Sequence, residues 1–439
     1  MESLRAWVRR FRGSLLVMPL AIVIAAIVAA RLVTLLDHDQ VPGEIPGLLS
    51  ISVAGGRAIA GSVAGATITV AAIVFSITSL SSQIAATQYS PRAVAGFLED
   101  RLQKVVIGLI VGTFVFSLMV LADLSGVALP DEPPRPSVAV TLVLLLGIAS
   151  AVAILVYLDH SLRRMRIDAV VRRIAEAAAK GMRDLDRTKP SGEKLEERGK
   201  PEVSPIRVGS TKTGWVLAID AQRLCAQMPA ESVTRIAVRV GEAVFAGDQL
   251  ATVWIENDDD SVQRLVQGAI RLGRDRTAST HPTYGIRQLV DIGLRALSPG
   301  VNDPTTAIDV IQHLKLPMRE MLTLDPPRRV FAGSRGQRVF LPEAQSRSDQ
   351  VRMAFSELRL AAAGQPVVLE TIVEVLADLA DELAAADQDG RTSELRKQAA
   401  LAVDLACTAG LAESDLEPVL AAADRLSLRP EPETDEADA

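Results

Sequence analysis

The chain has 439 residues, with 47 Lys+Arg against 53 Asp+Glu and a formal net charge of −6. It is 49% apolar but only 3% aromatic, and its mean hydropathy is +0.24, so aliphatic side chains carry the burial and are concentrated in part of the chain. Two Cys exclude a disulfide framework or a multi-cysteine zinc site, four His leave little for a histidine-built metal centre, and the slight acidity gives no case for nucleic-acid binding.

Four runs carry no charge: 13–30, 58–91, 105–122 and 137–158. Roughly 18–20 apolar residues suffice to cross a hydrocarbon core, so each run predicts a transmembrane helix. The first extends to Leu36 if Arg31 snorkels. It has the basic start of a signal peptide (Arg5, Arg9, Arg10, Arg12), but it exceeds the roughly 7–15 residues of a signal core, which predicts a retained span. The second run centres its span on 62–84 and leaves 86–91 beyond the membrane. Basic residues gather before the first span, between spans two and three (Arg92, Arg101, Lys104) and after the fourth (Arg163, Arg164, Arg166, Arg172, Arg173). The other two loops hold only Arg57 and Arg135, so the positive-inside rule predicts both termini in the cytoplasm.

Span two differs in composition. Ser62, Thr69, Ser76 and Gln83 recur every seven residues and share a helix face. Gly61 and Gly65 form a small-xxx-small pair, as do Gly108 and Gly112 on span three. Such residues serve helix packing, or the polar stripe is pore-facing and lines an aqueous path. No Asp, Glu, Lys or Arg stands at the centre of a span. That argues against a proton relay, a carboxylate ion pump or a voltage sensor, and leaves a passive pore open.

The stretch 160–184 predicts a basic amphipathic helix resting on anionic lipid, and 187–205 reads as a linker. Strand signals cluster at 206–256, with turn glycines at Gly214, Gly241 and Gly247. The pieces from Gly214 to Asp220 and from Val238 to Val253 resemble the barrel-sandwich fold of biotinyl and lipoyl carrier domains. Those carriers present a modifiable Lys between two such halves, whereas 221–234 holds none. A structural or docking barrel is therefore expected.

Helical periodicity follows. One helix is predicted at 262–274. A second at 282–297 has Ile286, Leu289, Val290, Gly293, Leu294 and Leu297 on one face. The run 296–307 then breaks it, with Gly300 suited to positive φ and Asp303-Pro304 suited to an N-cap and first helical position. A third helix carries Ala307, Ile308, Ile311 and Leu314. A short hairpin at 329–341 and helical regions at 346–386 and 393–426 complete the chain, and the acidic, Pro-bearing tail 429–439 is expected to be disordered. The predicted fold is an α-helical membrane protein with four transmembrane helices and a cytoplasmic α+β region. Its parts are a four-span domain at 1–160, an amphipathic helix and linker at 161–205, a small β module at 206–258, a mainly helical domain at 259–428 and the tail.

The stretch from Tyr284 to Ala307 (YGIRQLVDIGLRALSPGVNDPTTA) resembles the signature of a bacterial membrane-protein family catalogued as domain of unknown function 2254. The piece from Ser82 to Arg92 also resembles that family, and the order of parts matches over about 10–425. The resemblance implies an integral protein of a bacterial plasma membrane and carries no activity with it.

The signature residues Arg287, Asp291, Arg295, Ser298, Asn302 and Asp303 have a physical reading of their own. Arg287 and Asp291 are four apart and can pair, Arg295 lies further along, and Asn302 and Asp303 fall in an interhelical turn. The set serves as a stiff, capped helix–loop–helix, or Arg287, Arg295, Asn302 and Asp303 form a polar pocket for a small charged ligand. The run Gln83, Gln88, Tyr89, Ser90, Pro91 and Arg92 extends span two toward the cytoplasmic domain, or anchors at the interface through Tyr89.

No phosphate-cradling glycine loop, H-E-x-x-H, C-x-x-C or G-x-S-x-G occurs, and Asp258–Asp260 lacks calcium-loop spacing. No catalytic site, metal or cofactor is expected. Two functions remain: a homo-oligomeric channel with a cytoplasmic regulatory domain, or a non-transporting scaffold or sensor that binds a protein partner or small ligand.

Overall fold

Long uncharged runs can satisfy their backbone only as helices when no water is at hand, and the chain divides accordingly into two units, Met1–Arg166 and Ile167–Ala439. The computed structural model describes residues 17–38, 49–88, 101–125, 135–136, 138–164, 166–186, 203–255, 260–274, 276, 278 and 281–428.

The first unit holds helices α1 (Val17–His38), α2 (Val53–Gln88), α3 (Arg101–Ser125) and α4 (Val138–Arg164). All four are long and apolar enough to cross a membrane. With 36 residues, α2 is about 54 Å long against a hydrocarbon core of about 30 Å, so it outruns the 62–84 span at both ends. Helix α3 packs on the other three and is the most buried. Its Gly108 is the reason it can approach α1, since a Cβ there would lie 2.6 Å from Ile22 Cδ1. Gly147 of α4 likewise makes room for Val63 of α2. Polar side chains inside the bundle meet one another: Thr113 Oγ1 and Ser150 Oγ are 3.0 Å apart, and Thr78 Oγ1 and Tyr157 Oη 2.6 Å. At one end, β1 (Ser50–Ile51) pairs antiparallel with β2 (Arg135–Pro136). There Arg57 Nε and Nη2 donate to the Leu124 carbonyl at 3.0 and 2.7 Å, satisfying the C-terminal end of α3.

The second unit begins with α5 (Ile167–Asp186). Its strong amphipathic pattern is as expected, but its partner is protein. Val170, Val171, Ile174, Ala178 and Met182 are buried, and α5 packs on α8 (Pro282–Ala296) and α9 (Pro304–Thr323). Arg183 Nη1 adds an ion pair to Glu320 Oε1 at 2.8 Å. The lipid-bound reading of this helix is thereby corrected: a stripe at period 3.6 demands an apolar surface without saying which one.

The β part comprises β3 (Ile206–Gly209), β4 (Gly214–Ile219), β5 (Val233–Ile236), β6 (Ala243–Val244) and β7 (Gln249–Trp254), with α6 (Ala221–Gln227) between β4 and β5. Then α7 (Asp260–Ala269) runs straight into β8 (Ile270–Gly273). The single helix expected over 262–274 stops early because its last residues pair with β4. The hairpin β9 (Val330–Ala332) and β10 (Arg338–Phe340) adds to β5 in parallel. The result is a five-stranded sheet in the order β3-β7-β5-β10-β9 and a three-stranded sheet β6-β4-β8. Val208, Val216, Leu224, Ile236, Val253 and Val266 share one core across both sheets and the two helices. The β part therefore recruits strands from well beyond residue 258.

Helices α10 (Arg347–Ala361), α11 (Pro366–Ala385), α12 (Ser393–Thr408) and α13 (Glu413–Asp424) complete the unit. The region 346–386 divides at Gly364 (φ +79°), with Pro366 at the first turn of the next helix. Lys315 to Asp378 (2.8 Å), Arg319 to Glu382 (2.6 Å) and Arg425 to Asp381 (2.6 Å) tie α9, α11 and the segment after α13 together.

The α5–α8 seam yields a test. A Cβ on Gly285 would lie 2.8 Å from Ala178 Cβ and 2.9 Å from Ala278 Cβ. Gly285→Val is expected to destabilise the second unit by about 1–3 kcal/mol through overpacking, read as a lower thermal midpoint in detergent. An unchanged midpoint would mean that α5 does not dock there.

Candidate functional site

The signature is the helix–turn–helix α8–α9. Helix α8 opens on Pro282 after His281, whose Nδ1 accepts from the Tyr284 amide at 2.9 Å as an N-cap. At its far end the Ser298 carbonyl accepts from the amides of Val301 (3.0 Å) and Asn302 (2.9 Å), and Ser298 Oγ donates to the Arg295 carbonyl at 2.6 Å. The turn closes through Asn302, at φ +49°, and not through Gly300 as expected. Asn is one of the few residues with a side chain that tolerates this region. Asp303 then caps α9 as the sequence predicts. Its Oδ1 accepts from the Thr306 amide at 3.1 Å and its Oδ2 from the Thr306 hydroxyl at 2.6 Å, with Pro304 in the first turn. Its own amide donates to the Ala296 carbonyl at 2.8 Å. Gln365 Nε2 reaches Asn302 Oδ1 at 3.2 Å and joins this turn to the start of α11.

Arg287 pairs with Asp291, as the spacing implies, through Nε and Oδ1 at 2.8 Å. Its Nη1 and Nη2 also grip both carboxylate oxygens of Glu357 on α10. That fork-to-fork geometry holds the Glu357 carboxyl below the usual carboxylate range, chiefly through the hydrogen bonds from Arg287. Glu357 was not legible as a partner: it lies 70 residues away on a helix with no pattern pointing to α8.

These contacts do not assemble the polar pocket. Nine residues of helix, about 13 Å at the standard rise, separate Arg287 from Ala296, the residue that holds Asp303. Arg287 is taken by two carboxylates, Asp303 by its cap and Asn302 by the turn, while Arg295 is exposed. Among the described residues no three His, Cys, Asp or Glu side chains gather as a metal site.

The sequence also passed over a cluster at the start of α8. The Arg276 guanidinium stacks 3.7 Å from the Trp215 ring centroid and 4.5 Å from that of Tyr284, and its Nη1 donates to the Gly241 carbonyl at 3.3 Å. His281 Nε2 lies 2.9 Å from the Val240 carbonyl. Burial lowers the His281 pKa, the Val240 carbonyl opposes that, and the nearby Arg276 charge lowers it further.

In the first unit, Ser62, Thr69, Ser76 and Gln83 are all exposed on the outward face of α2. Thr69 Oγ1 donates to the Gly65 carbonyl and Ser76 Oγ to the Ala72 carbonyl, each at 2.9 Å. A Cβ added at Gly61 or Gly65 would meet nothing within 4 Å. The stripe therefore does not line the interior of a single four-helix unit. The expected roles of Tyr89, Ser90, Pro91 and Arg92 fall outside the described residues.

The caps separate a structural role from a ligand role. Asp303→Ala is expected to cost about 0.5–2 kcal/mol of stability, whereas Asp303→Asn keeps an acceptor for the Thr306 amide and is expected to lose less. Chemical denaturation of the purified variants measures both, and equal losses would show that the carboxylate charge does more than cap.

The family model described as "Predicted membrane protein (DUF2254)" matches residues 12–378. Uncharacterised proteins of Mycobacterium bovis and Mycobacterium tuberculosis are each 28% identical to the chain over 408 residues, covering 90% of this chain and 75% of the relative. No solved structure matches the chain. The matched region takes in all four apolar helices, both sheets and the α8–α9 signature, and the chain belongs to this family of predicted membrane proteins.

Proposed function

We propose that the protein is a homo-oligomeric channel or flux pathway of a bacterial plasma membrane, with copies meeting along the outward face of α2. The second unit and both termini lie in the cytoplasm, where the second unit is a regulatory domain. The observation that carries this reading is a contrast between helix faces. The outward residues of α1 (Leu20, Ile24, Leu32) and of α4 (Leu145, Ile148, Leu155) suit lipid chains. Helix α2 instead exposes Ser62, Gly65, Thr69, Ala72, Ser76 and Gln83, with Ile68, Phe75, Ile73 and Leu80 at the flanks. Lipid gains little from such a stripe, while small residues let helices approach and hydroxyls suit a wet path. The Thr69 and Ser76 hydroxyls spend their protons on the helix, leaving oxygen lone pairs outward. The distribution of basic residues supports the cytoplasmic orientation. The two sheets with their common core are compatible with a barrel-sandwich-like module for docking. No enzymatic role is part of this reading: Arg287, Asp291 and Asp303 of the signature serve an ion pair and a cap.

A second reading, a membrane-anchored scaffold or sensor, is favoured by the same back-bonded hydroxyls, which need no water to be satisfied. In it the second unit binds a protein or small ligand and α2 only packs.

Two measurements separate the readings. Purified protein in liposomes is expected to pass ions under osmotic stress, and Ser76→Leu to abolish that flux while the oligomer persists. Flux unchanged by Ser76→Leu would remove α2 as the lining, and a folded wild type with no flux would leave the scaffold reading. Gly65→Leu is expected to shift the detergent-solubilised oligomer toward monomer in analytical ultracentrifugation; an unaltered oligomer would place the contact elsewhere.

A further inference from the structure

The cluster at the start of α8 joins the sheets to the helices of the second unit. We infer that His281, with Arg276 beside it, is an acid-releasable latch: a neutral imidazole bridges the Val240–Gly241 turn to the first turn of α8, and protonation breaks that bridge. The inference is independent of whether the protein conducts ions.

The bonding partners dictate the protonation state. Nε2 faces a carbonyl oxygen, Val240 at 2.9 Å, and must carry hydrogen to bond it. Nδ1 faces the Tyr284 amide, which donates to it at 2.9 Å, and must be bare. Only the neutral Nε2–H tautomer meets both demands. A proton added at Nδ1 would set N–H against N–H, remove the side-chain cap of α8 and leave the Tyr284 amide only the His281 carbonyl, at 2.9 Å, and would place a cation at the positive end of a helix. It would also stand beside the Arg276 guanidinium, which Trp215, Tyr284 and the Gly241 carbonyl hold in place.

Nor can the ring move aside cheaply. Gly241 is at φ +87°, and a Cβ there would lie 1.9 Å from His281 Nε2, so the imidazole edge lies directly against the turn backbone. The turn is itself fixed, since the Gly241 amide donates to the Val216 carbonyl at 2.7 Å and the Val216 amide to the Glu242 carbonyl at 2.9 Å.

The charged groups facing the ring favour release on protonation. Arg276 comes from the segment between β8 and α8. On the turn, Glu242 Oε2 is engaged by the Arg239 amide at 2.9 Å, so that carboxylate is already in use. On α8 itself Pro282, Thr283, Tyr284 and Gly285 follow, none of them a carboxylate, and Gly285 abuts Ala178 of α5 and Ala278. Among the described residues no carboxylate bonds either ring nitrogen.

The sign follows from linkage. The folded-state pKa lies below the ordinary 6.5, first through burial. The stability that neutral His281 contributes is thus complete above 6.5 and is lost as pH falls through the folded value. The latch is closed at neutral pH and opens on acidification.

The experiment uses the full chain in detergent, with Trp7→Phe and Trp254→Phe leaving Trp215 as the sole indole reporter of the three Trp. Titration from about pH 8 to about pH 4.5 is expected to show one transition in Trp215 emission, centred below the ordinary histidine value. His281→Asn retains a capping acceptor without a titrating ring and is expected to remove it. Absence of the transition, or its persistence in His281→Asn, overturns the latch. Should His281→Asn fail to fold, Arg276→Gln decides through the pH dependence of the thermal midpoint. Removal of the neighbouring cation is expected to move the acid-induced loss toward pH 6.5, and an unmoved profile overturns the inference.

Discussion

Close approach around α8 is the constraint on which the second unit depends. Two of its positions, Gly285 and Gly293, carry no side chain because neighbours already fill the space: Ala178 and Ala278 at the first, and Leu358 of α10 with Val310 of α9 at the second. Along the same helix Ile286, Leu289 and Ile292 are fully buried. A helix packed on three sides must be held accurately at both ends and in rotation, since close-packed interiors do not absorb displacement. The polar residues of the signature supply that accuracy. His281 fixes where α8 begins, the Ser298–Asp303 turn fixes how α9 departs, and the Arg287 fork sets the rotation of α8 against α10.

This accounts for most of a dense set of charged and polar residues, Arg295 excepted. Asp303, Asn302 and Arg287 each have a local task that their chemistry fits. Asp303 has two acceptor oxygens for two donors on Thr306. Asn302 tolerates the positive φ that a residue with a bulkier side chain would resist. Arg287 has enough donors for two carboxylates at once, which a lysine would not match geometrically. The pair is partly exposed, so its contribution lies more in orientation than in energy.

What could be read from the sequence, and what could not, divides by the range of the interaction. The four apolar helices, the Asp303-Pro304 helix start, the Arg287–Asp291 pair and the 329–341 hairpin all rest on residues close together in the chain, and their local chemistry announces them. Partners across the chain left no such trace. The apolar stripe of α5 was visible while α8 and α9 as its cover were not, and Glu357 gave no sign of reaching Arg287. Residues 270–273 read as helix until β4 offered them an edge. The turn glycine was misplaced for a subtler reason: Gly300 is the more permissive residue, but the geometry needed positive φ two positions later, where Asn302 stands. Ser62, Thr69, Ser76 and Gln83 of α2 are all exposed, as residues seven apart on one helix face can be. Periodicity places residues on one face and does not say whether that face looks in or out.

That last distinction carries the weight of the functional argument. In the described first unit, Gly108, Gly112 and Gly147 each face a neighbouring helix, and their missing side chains are accounted for. Gly61 and Gly65 face open space. Glycine weakens a helix relative to alanine by roughly 1 kcal/mol in water, and its use in a span is ordinarily offset by closer packing. Two glycines one turn apart without such an offset, continued toward the other end of α2 by exposed hydroxyls, give the helix a face that none of the described helices of its own unit covers. A second copy of the same helix is the simplest surface able to use it, because a self-complementary stripe of small residues meets its own image without a further fitted partner. Under the proposed channel reading, function would rest on an assembly of α2 helices, while the signature between α8 and α9 holds the shape of the unit that follows.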